Sequence, residues 1–171
     1  MMGSRLIFTL LPFPQGILLM LKADYLIKEI KYISSERNIP LYLDYLSKKF
    51  RDKLSQDEIS FQHEKNLFSR YFRGEPVSFR SLPLDLNTGT FFQARVWKAA
   101  QNIPYGRTLS YKELASKINH SGYRSIGQAL GRNPFLIAVP CHRVIRSDGS
   151  LGGFTAGLAL KKYLLSLERA R

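Results

Sequence analysis

Two apolar stretches open the chain, LIFTLLPF and ILLMLKA, separated by Pro12, Pro14 and Gly16. The breakers predict two paired strands, about 5–10 and 17–21, joined by a Pro/Gly turn, and a further extended segment at 25–33. They also leave no run long enough to cross a bilayer, nor the uninterrupted segment and cleavage site of an export signal. After Pro40 the period changes. Leu43, Leu46, Phe50 and Leu54 recur at helical spacing, with Lys and Arg between them. A second helix, about 62–73, puts Leu67, Phe68, Tyr71 and Phe72 on one side, as core packing requires, and ends at Gly74. SLPLDLNTGT (81–90) has Pro83, Asn87 and Gly89, no helical period, and reads as a linker.

Beyond the linker the pattern is helical. Phe92, Val96, Trp97, Ala99 and Ala100 predict an amphipathic helix that IPYGR stops. SYKELASKI pairs Ser110 with Glu113 as a capping box and buries Leu114, Ala115 and Ile118. NHSG breaks the chain, and YRSIGQALGRN resumes a helix with Ile126, Ala129 and Leu130 inward. Two short helices joined by about four residues with a glycine read as a helix-turn-helix or as an ordinary helical hairpin. Gly127, inside the second helix, suggests close approach of another element. LALKKYLLSLERA forms a final helix.

The 171 residues are 44% hydrophobic, enough for a folded core. Residues 1–89 carry net charge +3 and residues 90–171 net +10. That asymmetry points to a polyanion, nucleic acid first, or to a solvated basic face. One cysteine, Cys141, excludes an internal disulfide and fits a reducing compartment. With His63, His120 and His142 it lacks the spacing of a metal site, so no metal is expected.

Cys141 stands in AVPCHRVIRSDG, with His142 and Arg143 directly after it. Nearby cations or a hydrogen-bonded base raise the thiolate fraction of such a cysteine. Pro140 biases Val139 to extended geometry. An extended segment would point Cys141 and His142 to opposite faces and leave a water to connect them. An acid must then fix the imidazole. Glu113 is used by the capping box and Asp148 by a turn, so Glu168 is left. A lone buried cysteine acting as a small hydrophobe is the other reading.

PCHRVI resembles the active-site signature of the O6-alkylguanine-DNA alkyltransferases, the methylated-DNA–protein-cysteine methyltransferases. GTFFQARVW, IPYGRTLSYKELA, GYRSIGQALGRNP and SDGSLGGFTAGLALKKYLLSLE extend the resemblance over about residues 87–168, and LFSRYFRGEPVSF matches more loosely. The resemblance implies an α/β N-terminal domain (residues 1–85, ribonuclease-H-like) and a mainly α C-terminal domain (86–171) with a winged-helix-like helix-turn-helix. It implies stoichiometric, irreversible DNA repair in which Cys141 takes the alkyl group from O6-alkylguanine in double-stranded DNA, with O4-alkylthymine a second candidate. No cofactor is required. It implies further that His142 deprotonates Cys141 through a water, supported by Glu168, and that Asn133 ties the helix-turn-helix to the active-site segment. Tyr111 would rotate the nucleotide out and Arg124 fill the gap. Tyr111 and Thr155 would hydrogen-bond the guanine, Phe154 would pack on it, and backbone around Cys141 and Val144 would read its edge. The second helix would enter the minor groove on a small surface, with Ser125, Gly127, Gln128, Ala129 and Gly131, and with Arg132 on DNA. A cytoplasmic monomer with no membrane and no obligatory protein partner completes the expectation.

Three departures stand out: Phe154 where some members have tyrosine, Phe91 in place of a proline, and Ser125 where alanine is frequent. The alternatives are a lesion-binding or helix-turn-helix protein without transfer activity, and a cysteine hydrolase. The hydrolase would need an oxyanion site that nothing in the sequence indicates.

Overall fold

The structure is a computed structural model and describes residues 5–169. The extreme ends of both expected domains, and Ala170 of the last helical stretch, lie outside them. β1 (Leu6–Phe13), β2 (Gly16–Ala23) and β3 (Leu26–Ile33) form an antiparallel meander, and β4 (Leu54–Gln56) pairs parallel to β1, giving the order β3-β2-β1-β4. Both faces of the sheet are covered, which is why β2 reads as a continuous apolar run. Ile17, Leu19 and Leu21 pack toward α1 (Ile39–Phe50). Leu18 and Met20 join the larger core with α2 (Gln62–Phe72) and the C-terminal helices. Gly16, at φ +151°, allows the hairpin to sit against β3, since a Cβ there would lie 2.6 Å from the Ile33 carbonyl.

Two sequence expectations need correction here. Leu54 does not continue α1. The helix ends at Arg51 in the left-handed region (φ 53°), and Leu54 pairs with Leu6 in β4. Nor is 81–90 a free linker. Ile27 donates to the Pro83 carbonyl (2.8 Å) and accepts from the Asp85 amide (2.9 Å), so this segment pairs with β3. Further along, Ile30 donates to Pro134 O (2.8 Å) and accepts from Leu136 N (3.1 Å). The outer edge of β3 is thereby bonded to the second half of the chain.

That half contains α3 (Phe91–Gln101), α4 (Tyr111–Lys117), α5 (Tyr123–Gly131) and α6 (Leu158–Arg169). Capping boxes start α3 (Thr90/Gln93) and α4 (Ser110/Glu113). Trp97 ties α3 to α5 through a bond from Nε1 to the Ala129 carbonyl (2.9 Å). A short parallel pair, β5 (Leu109–Ser110) with β6 (Val144–Ile145), joins the start of α4 to the residues just after Cys141. Among the described residues no helix is long and apolar enough to cross a membrane.

Candidate active site

Cys141 begins a 3-10 turn, Cys141–Arg143, and not the extended segment expected from Pro140. The turn is fixed by contacts that no local pattern contains. Asn133, just past α5, accepts from the Phe135 amide (2.9 Å) through Oδ1. Its Nδ2 donates to Val139 O (3.0 Å) and to Cys141 Sγ (3.3 Å). Ile137 sits in the left-handed region (φ 68°), a strained conformation for a β-branched residue. It is fully buried, so packing holds it there.

Behind the cysteine lies a buried polar cluster. His142 Nε2 is 2.7 Å from Glu168 Oε1, and both residues are almost wholly inaccessible. Arg143 donates to the same carboxylate from Nε and Nη2 (2.9 and 3.0 Å) and to the Ile103 carbonyl from Nη1 (2.6 Å). The Tyr71 hydroxyl donates to Glu168 Oε1 (2.7 Å), and the Gly106 amide donates to Oε2 (3.2 Å). Burial alone would push Glu168 up. The bonds and charges of His142 and Arg143 outweigh it and hold the carboxyl at about 2. Burial pushes the His142 imidazole down against the pull of Glu168, so it is neutral at neutral pH. An anionic Glu168 accepts, so the proton of the neutral ring sits on Nε2. Nδ1 keeps its lone pair, and it is buried without a hydrogen-bond partner among the described residues.

The thiol itself is not acidified at rest. Burial pushes Cys141 up, and the Asn133 bond and the Lys161 charge offset this only in part. Of the two routes to a thiolate, a nearby cation or a hydrogen-bonded base, Arg143 does not supply the first, being engaged by Glu168.

In front of Cys141 opens a cavity of about 860 Å³. Tyr111, Arg124, Gly127, Gln128, Phe154 and Thr155 stand in its wall with Cys141, and Lys112 and Arg146 add positive charge. Of the other expected site residues, Arg132 is exposed outside this wall. Val144 is buried outside the wall, its carbonyl accepting from Lys161 (2.7 Å). The Ser125 hydroxyl is already engaged, bonding Gly122 O and His120 Nε2 (2.7 Å each) inside the helix-helix turn. Thr155 donates to Gly131 O (2.9 Å). Ala129 is buried and adds nothing to the exposed face of α5. Gly127 does not permit a close approach: a Cβ there would meet the Tyr111 ring at an ordinary 3.7 Å.

Two residues were missed from sequence. Tyr71 sits in an apolar helical stripe and nothing local marks its hydroxyl as a partner of Glu168. Lys161 is fully buried and donates to the carbonyls of Val144, Leu151 and Gly153, pinning the 146–157 loop over the cavity. Burial lowers it to about 8. Its signal was present: Lys161, Leu164, Leu165 and Glu168 recur at the inner-face spacing of α6.

Residues 91–170 match the family model of the 6-O-methylguanine DNA methyltransferase DNA-binding domain. A Haemophilus influenzae methylated-DNA–protein-cysteine methyltransferase is 39% identical over 97% of this chain and 88% of its own length. The chain belongs to the methylated-DNA–protein-cysteine methyltransferase family. A Methanosarcina barkeri member is 44% identical over 74% of this chain and 82% of its own. The crystal structure of Mycobacterium tuberculosis OGT in complex with DNA superposes with a TM-score of 0.80, at 34% identity, over 96% of this chain and 93% of that one. As in that relative, a mixed sheet is joined to a helical region, and in this methyltransferase family member Cys141 lies where the two meet.

Proposed function

We propose that this protein repairs DNA by moving the alkyl group of O6-alkylguanine onto Cys141, once per molecule. The observation that carries the reading is a cysteine that lines an open cavity, with a buried His142–Glu168 pair behind it and a helix-turn-helix at the rim. The O6 carbon cannot be reached inside a base stack, so the nucleotide must be extruded, at a cost of a few kcal/mol. Arg124, exposed at the cavity mouth, would occupy the gap it leaves. Gln128, Gly127 and Arg132 would track the groove.

With the base in the cavity, His142 Nδ1 takes the thiol proton through a water, and Glu168 and Tyr71 steady the imidazolium that results. Sγ attacks the alkyl carbon, the C–O6 bond breaks, and its electron pair leaves with guanine, which is reprotonated. Tyr111 supplies a hydroxyl in the same wall, and Phe154 a ring face for the purine. The carbon remains on sulfur as a thioether, and the chemistry needs no cofactor. The strand order and the parallel β1–β4 pair support a ribonuclease-H-like N-terminal unit (1–85). α4 and α5 with the β5–β6 pair support a winged-helix-like second unit (86–171). A cytoplasmic monomer acting on double-stranded DNA fits the single unpaired thiol.

Incubation with a duplex carrying O6-methylguanine, followed by intact-mass measurement, tests the reading. One methyl group is expected on the protein and none on Cys141→Ala. An unchanged mass with retained lesion binding would replace transfer by binding alone.

A further inference from the structure

α5 presents two outward rows. Arg124, Gln128 and the C-cap residue Arg132 form one at four-residue spacing, and all three are exposed. Tyr123, Gly127 and Gly131 form the other, which faces the large cavity. A Cβ on Gly127 would meet the Tyr111 ring at 3.7 Å, and one on Gly131 the Thr155 hydroxyl at 3.9 Å. This second row is bare backbone except at its outer end, where Tyr123 begins the helix. We infer that the Tyr123 ring stacks on the base next to the gap left by the extruded nucleotide, and so holds the duplex open beside Arg124. The inference rests on the transfer reading above and adds to it a second residue for base extrusion.

Three observations carry it. Exposure is the first: Tyr123 is 56% exposed. The other two aromatic residues in the cavity wall, Tyr111 and Phe154, pack against the core. Among the described residues Tyr123 makes no hydrogen bond and no ring contact. Folding therefore does not account for the ring, which is free to turn toward a ligand. A bare aromatic face amid positive charge suits a flat apolar group carried on a polyanion, and a nucleobase is such a group.

Position is second. Tyr123 borders the same cavity as Cys141, Arg124 and Lys112. Its Cα lies one peptide, about 3.8 Å, from that of Arg124. Stacked bases are spaced about 3.4 Å apart. With the Arg124 side chain in the gap, Tyr123 is within one step of the stack.

Third is the division of labour. Extrusion costs stacking as well as pairing. Arg124 offers charge and donors to the orphaned base. Tyr123 offers stacking area without charge, as apolar wedge residues do at other minor-groove interfaces.

The test uses the whole protein and single-turnover rates on a duplex carrying O6-methylguanine and on free O6-benzylguanine. Tyr123→Ala is expected to slow the duplex reaction about tenfold more than the free-base reaction, the scale of one lost base–aromatic stack. Tyr123→Phe and Tyr123→Trp are expected to restore the duplex rate, since stacking needs the ring and not the hydroxyl. The free-base rate and the thermal midpoint serve as folding controls. A duplex with 2-aminopurine on either side of the lesion reads the stack directly, with transfer blocked by Cys141→Ala. Its fluorescence at one flank is expected to rise when Tyr123→Ala is added and to be quenched again by Tyr123→Phe. A duplex rate unmoved by Tyr123→Ala, equal losses on both substrates, or a loss that Tyr123→Phe does not restore overturns the stacking role while leaving transfer intact. Failure of the unaltered protein to transfer even methyl overturns the reading beneath it.

Discussion

At the scale of single residues, Glu168 does the most work, since His142, Arg143, Tyr71 and the Gly106 amide all converge on it. Its folded pKa, about 2, lies below the ordinary 4.5. A depressed carboxyl contributes stability that is whole above pH 4.5 and is lost as the pH falls through 2. His142, also depressed, adds a loss that begins below 6.5. Urea unfolding across pH 2–7 should therefore show stability falling with acid, and Glu168→Gln should flatten the part below pH 4.5. At pH 7 the same variant should be less stable by about 3–5 kcal/mol, because Arg143 is left charged and buried. Transfer should decline on the acid side with an apparent pKa under 6.5, the range in which His142 ceases to be a base. Lys161→Met should slow transfer to free O6-benzylguanine and to duplex alike, at least about tenfold, because the 146–157 loop loses two bonds and β6 a third at once. A loss confined to the duplex would mean that Lys161 serves DNA contact instead.

Elements set where these residues meet, and here local and long-range signals part. The Ser110/Glu113 capping box, the inward Ile126 and Leu130 and the paired strands of the first hairpin are legible in the sequence because each is decided within a few neighbours. The two-residue strands β5 and β6 are not. Leu109 pairs with Val144 across 35 positions, and that pairing joins the start of α4, with Tyr111, to the segment after Cys141. The turn at Cys141 follows from Asn133 and the strained Ile137, against the local bias of Pro140. Leu54 kept the helical period of α1 yet pairs with β1, tertiary contact overriding pattern. Within α5 two substitutions separate the roles of helix and finger. Gly127→Ala should stabilise the fold by up to about 1 kcal/mol, since its Cβ meets only ordinary contact with Tyr111. Thermal unfolding checks this. Arg124→Ala should leave stability unchanged and slow repair of duplex DNA far more than reaction with free O6-benzylguanine. Equal losses on both substrates would remove Arg124 from base extrusion.

For the molecule as a whole, the uneven charge is the property that single sites do not explain. Residues 90–171 carry net +10, and one of their three acids, Glu168, is buried under Arg143 and His142. Glu113 caps α4 and Asp148 bonds the Ser150 amide in a surface turn. Lys112, Arg124 and Arg146 line the cavity, and Arg132 is exposed at the end of α5. Phosphates neutralised by these side chains release condensed counterions, about 0.9 for each contact on B-form DNA. With Arg124 in the base stack, the other three contacts would give a plot of log affinity against log salt a slope of about −3. Lys112→Ala should make that slope shallower by about one. Lys48→Ala, on α1 in the N-terminal half, should not change it. Reaction with free O6-benzylguanine carries no phosphate and should be nearly insensitive to salt, although it uses the same Cys141. Fluorescence anisotropy on a labelled duplex measures the first quantity and intact mass the second. A common salt dependence for both would place the positive charge in the chemistry; separate dependences assign it to holding DNA while Cys141, His142 and Glu168 act on the extruded base.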